Sequence, residues 1–168
     1  INRYTIWTAV VLGALVSLPV AAAKPTDRPL VNAAKRVDLI AVQALIDEGI
    51  DVDQQSVDGA TALHWAVYLD EPRLVASLIE GGADVIPANR YGVRPLSLAS
   101  LNGNAEIIEQ LIRAGADPNT SLHGGETAVM TAARSGNADA VRVLVSYGAD
   151  INARDDEHGQ SALMWAAA

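Results

Sequence analysis

The sequence predicts an all-α solenoid, a stack of helix-turn-helix units, on three observations. Glycines recur every 33 residues: Gly59, Gly92 and Gly125 form one series, and Gly49, Gly82, Gly115 and Gly148 another. Apolar residues keep the same step in columns, such as Leu30, Leu63, Leu96 and Val129, or Leu45, Leu78, Leu111 and Leu144. A fixed period of this length marks stacked supersecondary units, each leaning on its neighbours. The composition agrees: among 168 residues there are 30 alanines and no Phe, and aromatics supply 4% against 50% hydrophobic residues. Close packing of small and aliphatic side chains must then supply the stability.

The chain divides in order. Arg3 precedes the apolar stretch Ile6 to Leu18, followed by Pro19 and Ala21-Ala22-Ala23. A positive start, a short apolar run and an A-x-A site describe a secretory signal peptide. Residues 1–23 are therefore read as a signal peptide cleaved after Ala23, which places the mature chain in the periplasm or outside the cell. Retention as a membrane anchor is the rival reading, weakened by Pro19 and by a run only just long enough to span a bilayer. Residues 24–54 read as an N-terminal capping repeat, with polar Lys35, Arg36, Asp38, Gln43 and Asp47. Residues 55–168 hold three full repeats and a truncated fourth. The last copy, Gly159 to Ala168, is offset by 34, so the loop Asn152 to His158 holds one extra residue. The pattern stops before a second helix, and a longer protein is expected.

Within the first full unit, helices are predicted over about residues 62–68 and 72–80. Leu74, Val75, Leu78 and Ile79 share one broad face of the second. Helices this short do not persist alone in water. Gly103 and Gly136 stand between the two helices of their units, where a left-handed residue ends the first helix. Asp70 occupies that site in the first full unit and Val37 in the N-terminal one. A left-handed Val costs about 1–2 kcal/mol, which predicts a different turn there or a deformed first helix. Asp51, Asp84, Asp117 and Asp150 recur once per unit at a turn, where Asp accepts from backbone N–H groups.

The motifs in register are Thr61-Ala62-Leu63-His64-Trp65-Ala66, Arg94-Pro95-Leu96-Ser97-Leu98-Ala99, Thr127-Ala128-Val129-Met130-Thr131-Ala132 and Ser161-Ala162-Leu163-Met164-Trp165-Ala166. The three full units close on Gly-Ala-Asp, at Gly82, Gly115 and Gly148. This pattern resembles the ankyrin repeat, with its Thr-Pro-Leu-His signature, from about Leu30 to Ala168. No unit carries the full signature, and only His64 keeps its histidine. The resemblance implies an ankyrin-repeat solenoid: L-shaped units of a helix pair and a β-hairpin finger, stacked into a curved array. It also implies that His64 ties a loop to a helix by hydrogen bonds.

Chemistry is poorly supported. With no Cys there is no disulfide, thiolate zinc site or Cys nucleophile. The formal charge of −8, or −9 once Arg3 is removed, argues against non-specific binding to nucleic acid or anionic lipid. His123 and His158 fall on finger loops, and the run Asp155-Asp156-Glu157-His158 matches no calcium-loop spacing. Gly124-Gly125 lacks the Lys and the glycine spacing of a phosphate loop. Ser121 and Ser161 have no placeable His and Asp partners. Trp65 and Trp165 share a column with Leu98 and Thr131, as packing residues do. No enzyme, metal or cofactor is expected.

Columns that change between units are free to carry specificity, whereas fixed columns are structural. The changing positions comprise Val57, Asp58, Arg90, Tyr91, Val93, His123 and Glu126 on the fingers. On the ends of the first helices they comprise Tyr68, Leu69, Leu101, Asn102 and Arg134. Tyr and Arg are the types that dominate interface hot spots, and the resemblance implies that such positions contact partner proteins. The expected function is an exported protein-binding scaffold, monomeric, gripping its partner on a concave face. The negative net charge favours a basic partner. The alternative is the interaction arm of a larger enzyme whose catalytic domain lies beyond residue 168.

Overall fold

The computed structural model describes residues 28–167. The predicted export segment, residues 1–23, lies outside them. Among the described residues no helix is long and apolar enough to cross a membrane.

Helices come in pairs. α1 (Pro29–Lys35) and α2 (Leu39–Asp47) form the first, α3 (Ala62–Tyr68) and α4 (Pro72–Glu80) the second. α5 (Pro95–Asn102) and α6 (Ala105–Arg113) form the third, α7 (Ala128–Arg134) and α8 (Ala138–Ser146) the fourth, and α9 (Ala162–Ala166) follows. Each starts where the sequence offers a start signal. Pro opens α1, α4 and α5, and the side chains of Asp38, Thr61, Asn104 and Thr127 accept from the first-turn N–H groups of α2, α3, α6 and α7. The spans of α3 and α4 coincide with those the periodicity predicts.

First helices pack on first helices, in the order α1, α3, α5, α7, α9, while α2, α4, α6 and α8 pack in a second row behind them. The repeated columns are what is buried. Leu30, Leu63, Leu96 and Val129 are closed off, as are Ala33, Ala66, Ala99 and Ala132. In the column Leu45, Leu78, Leu111 and Leu144, only Leu45 is partly exposed. The polar residues that mark the N-terminal unit, Lys35, Arg36, Asp38, Gln43 and Asp47, are all exposed.

Main-chain closure repeats with the columns. The carbonyls of Ala33, Ala66, Ala99 and Ala132 accept from the N–H groups of Asp38, Glu71, Asn104 and Asn137, at 3.0–3.3 Å. This closure needs a left-handed residue between the helices. Gly103 and Gly136 supply it, and so do Asp70 (φ 59°) and Val37 (φ 56°). The different turn or deformed first helix expected at Val37 does not occur. α1 is as long as α3, and the Val takes the strained conformation. The Ala33 carbonyl and the bond from Ala41 N–H to the Asp38 carboxylate (3.0 Å) fix the chain on both sides, so packing overrides the local preference.

Asp51, Asp84, Asp117 and Asp150 each accept from the N–H two residues on, at 2.8–3.1 Å. They are turn formers, as expected. The fingers are shorter than hairpins. Main-chain bonds close them, from Ser56 to Ala60 (2.9 Å), Asn89 to Val93 (3.0 Å), Leu122 to Glu126 (2.8 Å) and Asp155 to Gln160 (3.0 Å). Among the described residues the one isolated bridge joins Ser121 and Thr127. Fingers also join each other: Arg90 N–H donates to Asp58 O (2.9 Å), and Asp156 N–H to Gly124 O (2.7 Å). That contact explains Gly59, whose φ is 79° and where a Cβ would lie 3.0 Å from Arg90 N.

Candidate functional site

The fingers and the first helices together build one face. Two columns run along it. One holds Asn32, Trp65, Leu98, Thr131 and Trp165; the other holds Lys35, Tyr68, Leu101 and Arg134. At both ends a cation of one unit lies over the Trp of the next. Lys35 Nζ is 4.4 Å from the Trp65 ring centroid, and the Arg134 guanidinium carbon 4.8 Å from that of Trp165. Between them stand Tyr68, Leu98 and Leu101, with Thr131 buried beneath. Tyr68 meets Trp65 edge to face, at 5.8 Å and 83°, a favourable aromatic geometry.

His64 anchors the N-terminal end of this face from below. Its Nε2 lies 3.2 Å from the Val93 carbonyl, which can only accept, so Nε2 carries the proton. Nδ1 then accepts from the Thr61 N–H (3.2 Å) and the Thr61 hydroxyl (2.9 Å). One imidazole thus joins the start of α3 to the next finger, the role the resemblance implies. Burial pushes its pKa below the ordinary histidine range, against the opposing pull of the Val93 carbonyl. The neutral ring is the form that fits these partners.

The residues singled out from the sequence fall into two sets. Val57, Tyr68, Tyr91 and Leu101 are exposed large side chains, Val57 at 86% and Tyr91 at 75%. Arg90 and Arg134 are also exposed, and Leu69 is half-buried. The others are engaged within the scaffold. Asp58 accepts from the Ser56 hydroxyl and from Ala60 N–H (3.3 Å), and the Ser56 bond foremost holds its pKa below the usual carboxylate value. Val93 receives His64, and Asn102 donates to the Val67 carbonyl (2.8 Å). Glu126 accepts from the Thr131 hydroxyl (2.8 Å) and from Arg134 (3.2 Å). His123 enters through its backbone, in a short 3-10 turn over His123–Gly125.

Two cavities indent the face at its N-terminal end. One, of about 460 Å³, lies between α1 and the first two fingers, with Lys35, Val57, Asp58, Arg90 and Tyr91 in its wall. The other, of about 230 Å³, is floored by His64, Trp65, Tyr68 and Leu98 and shares Asp58 with the first. Lys35 and Trp65 were not singled out by the sequence as binding residues. One signal was present: Lys35 lies one 33-residue step before Tyr68. Among the described residues no three His, Cys, Asp or Glu side chains gather as a metal site.

A family model for ankyrin repeats matches the chain in three overlapping copies, over residues 14–89, 30–122 and 96–168. No curated protein matches it.

Proposed function

The chain belongs to the ankyrin-repeat family, whose members are generally protein–protein interaction modules, and on that footing we propose that it is an exported scaffold holding a partner protein on its concave face. One observation carries the reading. The apolar columns that repeat, such as Leu63, Leu96 and Val129, are buried, whereas Val57, Tyr68, Tyr91 and Leu101, in columns that vary from unit to unit, are exposed. Large apolar side chains left outside a packed array are placed for another molecule.

Partner capture by cross-linking in the native compartment tests it, with two variants. Arg90→Ala with Tyr91→Ala is expected to abolish the cross-link while circular dichroism and melting stay unchanged. Leu111→Ala, in the fully buried leucine column, is expected to lower stability by about 2–5 kcal/mol. Retention of the cross-link in the first variant, or its unfolding, overturns the assignment of the face. Export is read separately by N-terminal sequencing of the protein recovered outside the cytoplasm. A start at Lys24 supports cleavage, and retention of Ile6 to Leu18 supports an anchor.

A further inference from the structure

The chain as a whole is acidic, at −8, but the larger cavity of the face is not. Among the described residues, Arg28, Lys35 and Arg90 line it against one carboxylate, Asp58. That carboxylate already accepts from the Ser56 hydroxyl and the Ala60 N–H. Arg28 is engaged as well, donating from Nε to the Gln55 carbonyl (2.8 Å), so Lys35 and Arg90 carry the field. Lys35 is held over Trp65, and a ring face attracts a cation without cancelling its charge. The cavity therefore keeps a positive field beside exposed Val57 and Tyr91, with Tyr68 and Leu98 in the adjoining hollow.

The opposite end of the face has the reverse balance. Arg134 is paired with Glu126 at 3.2 Å, and the last finger presents exposed Asp156 and Glu157. An extended polyanion lying along the whole face would meet these carboxylates. A short acidic segment seated at the N-terminal end would not.

We infer that the partner docks at the N-terminal half of this face through a short acidic protein segment, carboxylate side chains flanking an aromatic or branched aliphatic anchor. The carboxylates face Lys35 and Arg90, and the anchor fills the hollow beside Tyr68 and Tyr91. This rests on the reading of the face as partner-binding, and it reverses the preference for a basic partner that net charge alone suggests. Local field outweighs total charge because screening at physiological salt limits the reach of distant charges to roughly 8 Å.

A random peptide display library selected on the full chain tests the inference, with the enriched peptides measured by fluorescence anisotropy. Enriched sequences are expected to carry Asp or Glu beside Phe, Trp or Leu, and their affinity to fall with added salt. Lys35→Glu with Arg90→Glu should weaken them by about tenfold or more, and the neutral pair Lys35→Gln with Arg90→Gln by less, with helicity unchanged in both. Arg134→Glu should change them by less than about twofold, since that cation is already paired. Basic or uncharged peptides that lose binding on Tyr68→Ala with Tyr91→Ala would overturn the acidic segment and leave the binding face standing. Peptides indifferent to every one of these changes, or no enrichment, would overturn both.

Discussion

The two ends of the face built by the fingers and first helices use the same device and finish it differently. In the C-terminal unit the Trp165 indole N–H donates to Asp155 (3.0 Å), and Asp155 also accepts from the N–H groups of Glu157, His158 and Gln160. In the first full unit the corresponding finger residue is Ser56, whose hydroxyl is spent on Asp58 and the Ala60 carbonyl (2.7 Å). The Trp65 N–H is buried with no acceptor among the described residues. The cations differ in the same way: Arg134 is paired with Glu126 at 3.2 Å, whereas Lys35 lies over the ring and makes no salt bridge among the described residues. A repeat scaffold thus sets the position of a side chain, while its neighbours in the finger decide whether that side chain is satisfied internally or left for something else.

This contrast can be tested most strongly through the column that holds His64 and Met130. His64→Leu strands the Thr61 N–H and the Val93 carbonyl, so a loss of about 1–3 kcal/mol is expected. Met130, fully buried, bonds within its own unit, its sulfur accepting from the Thr127 N–H (3.4 Å), and Met130→Leu should cost less than about 1.5 kcal/mol. Equal losses in urea denaturation would show that the N-terminal end owes nothing special to its histidine.

A smaller effect, of opposite sign, is expected at Val37. Val37→Asn should gain up to about 1 kcal/mol, because Asn tolerates the left-handed conformation that Val adopts under strain. No gain in chemical denaturation would mean that the Val side chain repays its strain by packing.

The two tryptophans give the next comparison. Trp165→Phe removes a bonded donor and should speed amide exchange in α9. Trp65→Phe removes an unbonded one and should leave exchange in α3 closer to that of the parent. The reverse order would show that Trp65 has found an acceptor.

The mildest contrast is in acid. The pKa of His64 is lowered by burial, so its contribution to stability is complete above about 6.5 and is lost as pH falls through the lower folded value. Asp155 is also lowered, first by the Trp165 bond and then by the finger N–H groups. Its contribution is complete above about 3.9 and is lost only as pH falls further. On acidification α3 should therefore begin to exchange faster before α9 does; the opposite sequence in hydrogen exchange would refute the assignment.

Much of this fold was legible in one dimension. Helix spans and the turn-forming Asp series follow from local rules of helical period and capping, which act over four residues or fewer, and the buried Leu and Ala columns follow from the 33-residue step at which those rules recur. The exposed columns were legible too, as positions that change while the scaffold does not. Their hydrogen bonds were not: nothing in the spacing of Asp58, Asn102 or Glu126 announces that each is already engaged.

The sequence by itself determined the repeat, its helices and the columns that had to be inside, because those depend on neighbours along the chain. Tertiary structure alone decided that Val37 would be left-handed, that Lys35 would lie on Trp65, and that one tryptophan would be satisfied and the other not. Each of those outcomes depends on how one unit settles against the next. Contacts between residues some thirty positions apart are set by the packing of whole helices and fingers, which no local pattern encodes.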